Sequence, residues 1–329
     1  MSLPIGFISV NSGFRCHSCV GRNDGFLENL LSDDRFRASS VLDWHAVIVY
    51  GTIRTMLSHS NQRTISRLLS RLFLCPAMGI FMPFVFAELP EKIPLRHLAA
   101  LPHDKHSFTQ GLLWDGGYLY ESAGQYGTSS LRRVEPKTGN VTARVDLPQQ
   151  FFAEGLALAG SSLFQLTWQE NVCFVYDKKT LQLIGQFQYP GEGWGLTYDG
   201  KHLILSDGTN ALRFFDPQTF KLQRRLDVFD TLQKRRPEPV RSLNELEWVH
   251  GEIWANVWTT TRIVRINPKN GHVIGWIEMA SFVPEEHRDD THNCVLNGIA
   301  FDPATNHVYI TGKYWNVIHQ FQIEISEKK

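Results

Sequence analysis

Glu154 stands out among the acidic residues of this 329-residue chain because it opens a recurring phrase. Its Glu154-Gly155-Leu156 is matched by Gln110-Gly111-Leu112, Trp194-Gly195-Leu196, Asn244-Glu245-Leu246 and Asn297-Gly298-Ile299. An aliphatic residue recurs in all five and Gly in four while the leading residue varies, which is how a repeat presents one position to a ligand. Of the five leading residues only Glu154 titrates near neutral pH. A carboxyl group there can take a proton from one atom and return it to another, the work of a general acid/base. The alternative is structural: the leading residues are polar caps that satisfy backbone groups at the rim of a channel.

The phrases are spaced 154 − 110 = 44, 194 − 154 = 40, 244 − 194 = 50 and 297 − 244 = 53 residues apart, a period that marks a repeat architecture. After each phrase comes a turn and a short apolar run, at Leu119-Tyr120, Leu163-Phe164, Leu203-Ile204, Ile253-Trp254 and Val308-Tyr309. A third run follows, then a turn such as Asp216-Pro217-Gln218-Thr219, then a fourth run such as Val141–Val145. Short β-branched and aromatic runs between Gly, Pro, Asn and Asp read as antiparallel strands with tight turns. Four strands per repeat and five repeats predict an all-β, five-bladed β-propeller of four-stranded antiparallel blades around a central channel. The last repeat ends after its third strand, so Leu95–Leu101 is expected to supply the fourth and leave no free edge.

In that fold the innermost strands line the channel, so Gln110, Glu154, Trp194, Asn244 and Asn297 form one ring at its mouth, with Gly beside them for close backbone approach. Aligning the second strands gives another ring: Gly124, Trp168, Gly208, Trp258 and Lys313. Phe108 and Phe152 each lie two residues before a leading residue and narrow the same mouth. The two rings together predict an aromatic pocket with one acid and one cation. Glu121, at a packing position, is the next candidate acid, and Asp207 also competes.

The net charge is zero, with 33 basic and 33 acidic residues, so nothing draws the chain to nucleic acid. Arg63, Arg67 and Arg71 precede an uncharged run, Leu72–Phe86, which ends in Val85-Phe86-Ala87. This reads as a secretory signal peptide over 56–87, cleaved after Ala87; the run is short for a membrane span and holds Pro76 and Pro83. Met56 is then the expected start, residues 1–55 a disordered, non-native extension, and 88–329 the catalytic propeller, exported as a monomer to a periplasmic or extracellular space without stable membrane insertion. Cys16-x-x-Cys19 is half a zinc motif with no second half, and Cys75 falls in the leader. Cys173 and Cys294 either pair or remain free thiols.

Taken in order, His106-Ser107-Phe108-Thr109-Gln110-Gly111-Leu112, Glu121-Ser122-Ala123-Gly124, Leu166-Thr167-Trp168, Gly193-Trp194-Gly195-Leu196, Ser206-Asp207-Gly208, Leu243-Asn244-Glu245-Leu246-Glu247, Asn256-Val257-Trp258, Leu296-Asn297-Gly298-Ile299-Ala300 and Thr311-Gly312-Lys313-Tyr314-Trp315 resemble the plant and bacterial type of glutaminyl-peptide cyclotransferase. The resemblance spans about Leu95 to Ile325. It implies a five-bladed propeller that converts the N-terminal Gln of peptide or protein substrates to pyroglutamate and releases ammonia. It places the catalytic Glu on Glu154 and pocket residues on Phe108, Gln110, Phe152, Trp168, Trp194, Asn244, Trp258 and Lys313. Asn297 completes the ring as a further substrate contact. Lys313, Gln110 or Asn244 is expected to donate to the developing oxyanion. No cofactor or metal is implied, in contrast to the unrelated zinc-dependent animal form. Burial should raise the Glu154 pKa while Lys313 opposes it. Two rival readings remain: a Ca²⁺-dependent lactonase-like hydrolase using Glu154, Asn244, Asn297 and Asp207, and a non-catalytic peptide- or protein-binding propeller.

Overall fold

A computed structural model of the chain describes residues 94–232 and 235–324. The expected extension and signal peptide, with Cys16, Cys19 and Cys75, lie outside the described residues. Five four-stranded antiparallel sheets follow one another, each beginning with its innermost strand. Blade 1 comprises Thr109–Asp115, Tyr118–Ala123, Ser130–Val134 and Val141–Asp146; blade 2 Ala153–Ala159, Ser162–Thr167, Val172–Asp177 and Leu183–Gln188. Blade 3 comprises Leu196–Tyr198, Leu203–Ser206, Ala211–Phe215 and Leu222–Asp227; blade 4 Leu243–Val249, Glu252–Val257, Arg262–Ile266 and Val273–Glu278. Blade 5 takes Leu296–Asp302, His307–Gly312 and Val317–Ile323 from the end of the chain. As expected, its outermost strand comes from the beginning, Leu95–Pro102, paired antiparallel with Val317–Ile323.

The turns form for local reasons. Asp216 Oδ1 accepts from the backbone N–H groups of Gln218 and Thr219 and from the Thr219 hydroxyl, and Asp177 does the same with Lys179 and Thr180. An Asp side chain that bonds its own turn offers the backbone an alternative to continuing the strand. Away from the turns, the strands alternate their side chains between the two faces of each blade. The core is therefore split into five wedges, one between each pair of neighbouring blades. Leu113, Leu131, Leu156 and Leu163 fill the wedge between blades 1 and 2; Phe164, Leu166, Leu203 and Phe215 that between 2 and 3. Phe214, Leu243, Leu246 and Val264 fill the next, then Trp254, Ile263, Ile299 and Phe321. Leu112, Leu119, Ala300 and Ile318 close the circle between blades 5 and 1.

At the axis the inner strands approach each other too closely for side chains. A Cβ on Gly111 would lie 2.5 Å from the Leu156 backbone nitrogen, and one on Gly155 2.5 Å from the Gly195 carbonyl carbon. A Cβ on Gly195 would collide with the Asn244 carbonyl oxygen. The exception among the five phrases, Glu245, sends its carboxylate across the axis instead. Oε1 accepts from the Leu112 backbone N–H at 3.2 Å and Oε2 from that of Ile299 at 2.9 Å, tying blade 4 to blades 1 and 5.

The pairing register slips within four of the phrases: between Thr109 and Gly111, Ala153 and Leu156, Leu243 and Leu246, and Leu296 and Ile299. A bulge re-aims the side chain it carries. In blade 3 the phrase stands ahead of its strand: the Trp194 N–H donates to the Ser206 carbonyl and the Trp194 carbonyl accepts from the Gly155 N–H. The two longer repeat spacings hold insertions. Phe229–Asp230 pairs with Glu238–Pro239 before blade 4, and two 3₁₀ turns, Ala280–Phe282 and Glu285–His287, precede blade 5.

Gly195→Ala places a methyl group against a backbone carbonyl that cannot yield, and is expected to cost about 3 kcal/mol of stability. Gly185→Ala, in the outer strand of blade 2 with open space around it, should stay within about 0.5 kcal/mol of the parent. Urea denaturation of the two variants measures the contrast, and equal stabilities would refute the close-packed axis.

Candidate active site

A cavity of about 240 Å³ opens at one end of the channel. Its walls are Phe108, Gln110, Phe152, Glu154, Trp168, Trp194, Asn244, Trp258 and Lys313, joined by His292 and Asn293. The two rings read from the repeat thus meet around one space, with one correction. Asn297 is not in the wall: it is fully buried behind Gln110, its Nδ2 donating to Gln110 Oε1 at 3.0 Å and to the Thr109 carbonyl at 2.9 Å. The Asn297 side chain holds its neighbour's amide rather than facing the cavity. His292 and Asn293 escaped the repeat alignment because they lie in the insertion before blade 5; the spacing of 53 residues was the signal for it.

Glu154 is 4 % exposed. Gln110 Nε2 donates to its Oε1 at 2.7 Å, while Oε2 is buried with no hydrogen-bond partner among the described residues. Two opposed influences on its pKa were expected, and burial wins: the pKa stands well above the usual carboxylate range, opposed by Lys313 and helped by the neighbouring Glu192 and Glu170. Burial also lowers the Lys313 ammonium to about 8, with Glu154 resisting. The Lys313 Nζ lies 4.4 Å from the centre of the Phe108 ring, a cation–π contact.

The walls form two aromatic arcs. Tyr314, Phe108, Phe152 and Trp168 touch edge to face in sequence, with ring centres 5.1, 5.9 and 5.7 Å apart. Trp194, Trp258 and His292 make the second arc, at 5.6 and 6.2 Å. The glycines of the second ring are seats for these rings. A Cβ on Gly124 would lie 2.5 Å from Phe152 Cε1, and one on Gly208 2.7 Å from Trp194 Cη2. One backbone hydrogen bond recurs in four blades to fix the two rings together: Gly124 to Phe108, Trp168 to Phe152, Trp258 to Ser242 and Lys313 to Val295, N–H to carbonyl.

Neither competing acid faces the cavity. Glu121 Oε1 accepts from His103 Nε2 at 2.9 Å, Ser107 Oγ at 2.6 Å and Thr109 Oγ1 at 2.7 Å. Burial alone would raise its pKa, but His103 and these bonds hold it at about 2. His103 Nδ1 meets the Trp315 carbonyl at 2.7 Å, so both ring nitrogens face acceptors, as an imidazolium requires. Asp207 Oδ1 accepts from Thr209, and its Oδ2 lies 3.4 Å from Arg213 Nε. Cys173 and Cys294 are both free thiols.

The sequence matches the family model described as glutamine cyclotransferase over residues 77–324. The chain is 40% identical over 238 residues to a glutaminyl-peptide cyclotransferase of Arabidopsis thaliana, covering 70% of this chain and 72% of that protein. Among solved structures, the crystal structure of Myxococcus xanthus glutaminyl cyclase superposes with a TM-score of 0.64 at 32% identity, covering 72% of this chain and all of that one. A five-bladed ring, an aromatic cavity with a buried acid at its mouth, and this match over most of the sequence lead to one assignment: the chain belongs to the glutamine cyclotransferase family.

Proposed function

We propose that this protein is a glutaminyl-peptide cyclotransferase that closes the N-terminal Gln of peptide or protein substrates to pyroglutamate with release of ammonia. The observation that carries the reading is Glu154: a buried carboxyl oxygen without a hydrogen-bond partner, inside an aromatic cavity that also holds Lys313. The aromatic arcs enclose the γ-amide and bend the substrate so that its α-nitrogen meets its own γ-carbonyl, which makes the attack intramolecular. Glu154 as carboxylate takes the proton that the α-nitrogen loses as the C–N bond forms. It then delivers that proton to the γ-nitrogen, whose bond to the tetrahedral carbon breaks to give ammonia, so no water is consumed and Glu154 ends as it began.

Three donors were open for the oxyanion. Gln110 is the least available, because its Nε2 holds Glu154 and its Oε1 is held by Asn297. The Asn244 Oδ1 is buried with no hydrogen-bond partner among the described residues and suits an amide or amine N–H of the substrate. Of the three, Lys313 alone carries a positive charge, which suits it to stabilise the developing negative charge. The Ca²⁺-dependent alternative is disfavoured because Asn297 and Asp207 do not share the cavity with Glu154 and Asn244, while the Lys313 cation does. We also propose, from the residues before Ala87, that the propeller is exported.

Glu154→Gln should lower kcat by about 10²–10⁴-fold in a coupled ammonia assay on Gln-Xaa dipeptides; a variant retaining near-normal kcat removes Glu154 from the acid/base role. Activity should rise with pH as Glu154 ionises and fall as Lys313 loses its proton at about 8, giving a bell-shaped profile whose alkaline limb disappears in Lys313→Met, alongside a lower kcat. A chelator should leave activity unchanged; loss restored by Ca²⁺ would favour the lactonase-like reading. N-terminal sequencing of the exported protein should begin at Glu88, and a product retaining residues 2–54 would overturn the assigned start.

A further inference from the structure

Glu192 occupies the place in blade 3 that Phe108 and Phe152 hold in blades 1 and 2, two residues before the leading residue of the phrase. There it does what no aromatic ring does. Among the described residues the two aromatic arcs make no ring contact between Trp168 and Trp194. Glu192 Oε2 bridges that gap, accepting from Trp168 Nε1 at 3.0 Å and from Trp194 Nε1 at 2.9 Å. Its Oε1 accepts from Gln169 Nε2 at 3.0 Å. The backbone is fixed too: Arg213 Nη2 donates to the Glu192 carbonyl at 2.6 Å and Nη1 to that of Pro190. The recurring backbone bond between the two rings is replaced in blade 3, where Gly208 N–H turns to the Leu243 carbonyl. The side chain of Glu192 is therefore the link that makes the wall continuous.

We propose that Glu192 is a positioning residue of the reaction, one carboxylate oxygen locking the indoles of blades 2 and 3 into a single wall around the substrate γ-amide. This rests on the cyclase reading of the site. A second consequence follows from charge. Although burial works against it, the bonds from Trp194, Gln169 and Trp168 keep Glu192 ionised, and its anion adds to the raised proton affinity of Glu154. The groups that face Glu154 electrostatically are Lys313, Glu192 and Glu170, with Tyr126 and Tyr189 also feeling its charge. Of the two neighbouring carboxyl groups, Glu170 accepts from the Tyr126 hydroxyl and the Phe152 backbone N–H, whereas Glu192 accepts from the side chains of both indoles.

Glu192→Gln and Glu192→Ala separate the two effects. Glutamine keeps an oxygen that accepts both indoles but loses the charge. For it KM should stay within about threefold of the parent, while the acidic limb of kcat/KM moves to lower pH because Glu154 has lost a neighbouring anion. Alanine frees the indoles, so KM should rise about tenfold and acrylamide quenching of tryptophan fluorescence should increase. An Ala variant with unchanged KM and quenching, or a Gln variant whose acidic limb stays put, overturns the proposal. If the parent releases no ammonia from any Gln-Xaa peptide, the cyclase reading fails on its own, and the quenching of the Ala variant still decides whether Glu192 holds the two indoles.

Discussion

The rest of this structure depends on how closely five inner strands crowd around one axis. Gly111, Gly155 and Gly195 touch the backbone of the next blade, and no side chain fits at those points. The residue before each glycine cannot point to the axis either; at Gln110 and Glu154 a slipped register turns it to the channel mouth instead. A packing requirement for small residues in one position thus becomes a display of large or polar ones in the next. Glu245 departs from glycine only because its carboxylate finds two backbone N–H groups on other blades, which a Cβ alone would not.

Three buried carboxyl groups near this end of the ring show how surroundings decide chemistry. Glu121 receives three hydrogen bonds on one oxygen and faces a doubly bonded imidazole, so it remains a firmly ionised structural anchor. Glu245 accepts two backbone N–H groups without a cation, and burial raises it together with the nearby Glu247. Glu154 has a single amide donor and a lysine that burial itself has weakened, so it too is raised, but with one oxygen that has no hydrogen-bond partner among the described residues. Only the last combination leaves a proton that can be moved.

Much of this was legible in the residues. The repeat gave the blade count, the composite fifth blade, and the ring holding Gln110, Glu154, Trp194 and Asn244, because close packing forces glycine at regular intervals. Alignment of second strands found Trp168, Trp258 and Lys313 for the same reason. What it missed has physical causes. Strand alternation carries no mark of a bulge, so the direction of Asn297, behind Gln110, could not be read from its place in the phrase. His292 and Asn293 sit in irregular backbone with no repeat partner. Glu192 was visible as the counterpart of Phe108 and Phe152, but its polarity hid that it serves the same wall by hydrogen bonds instead of ring contact. The balance between burial and charge at Glu154 needed distances that a one-dimensional pattern lacks.

The composite blade has a temporal meaning. Leu95 pairs with Ile323, a separation of 323 − 95 = 228 residues, so the first strand of the ring waits for the last one before either edge is satisfied. Pairings of such long range are slow to find, since the loop entropy is spent before any contact repays it. Lys313 and Gln110 also stand in the last and first blades, on either side of the join. A chain carrying four finished blades therefore holds the acid but neither its cation nor its fifth wall. The pocket is complete only when the circle closes.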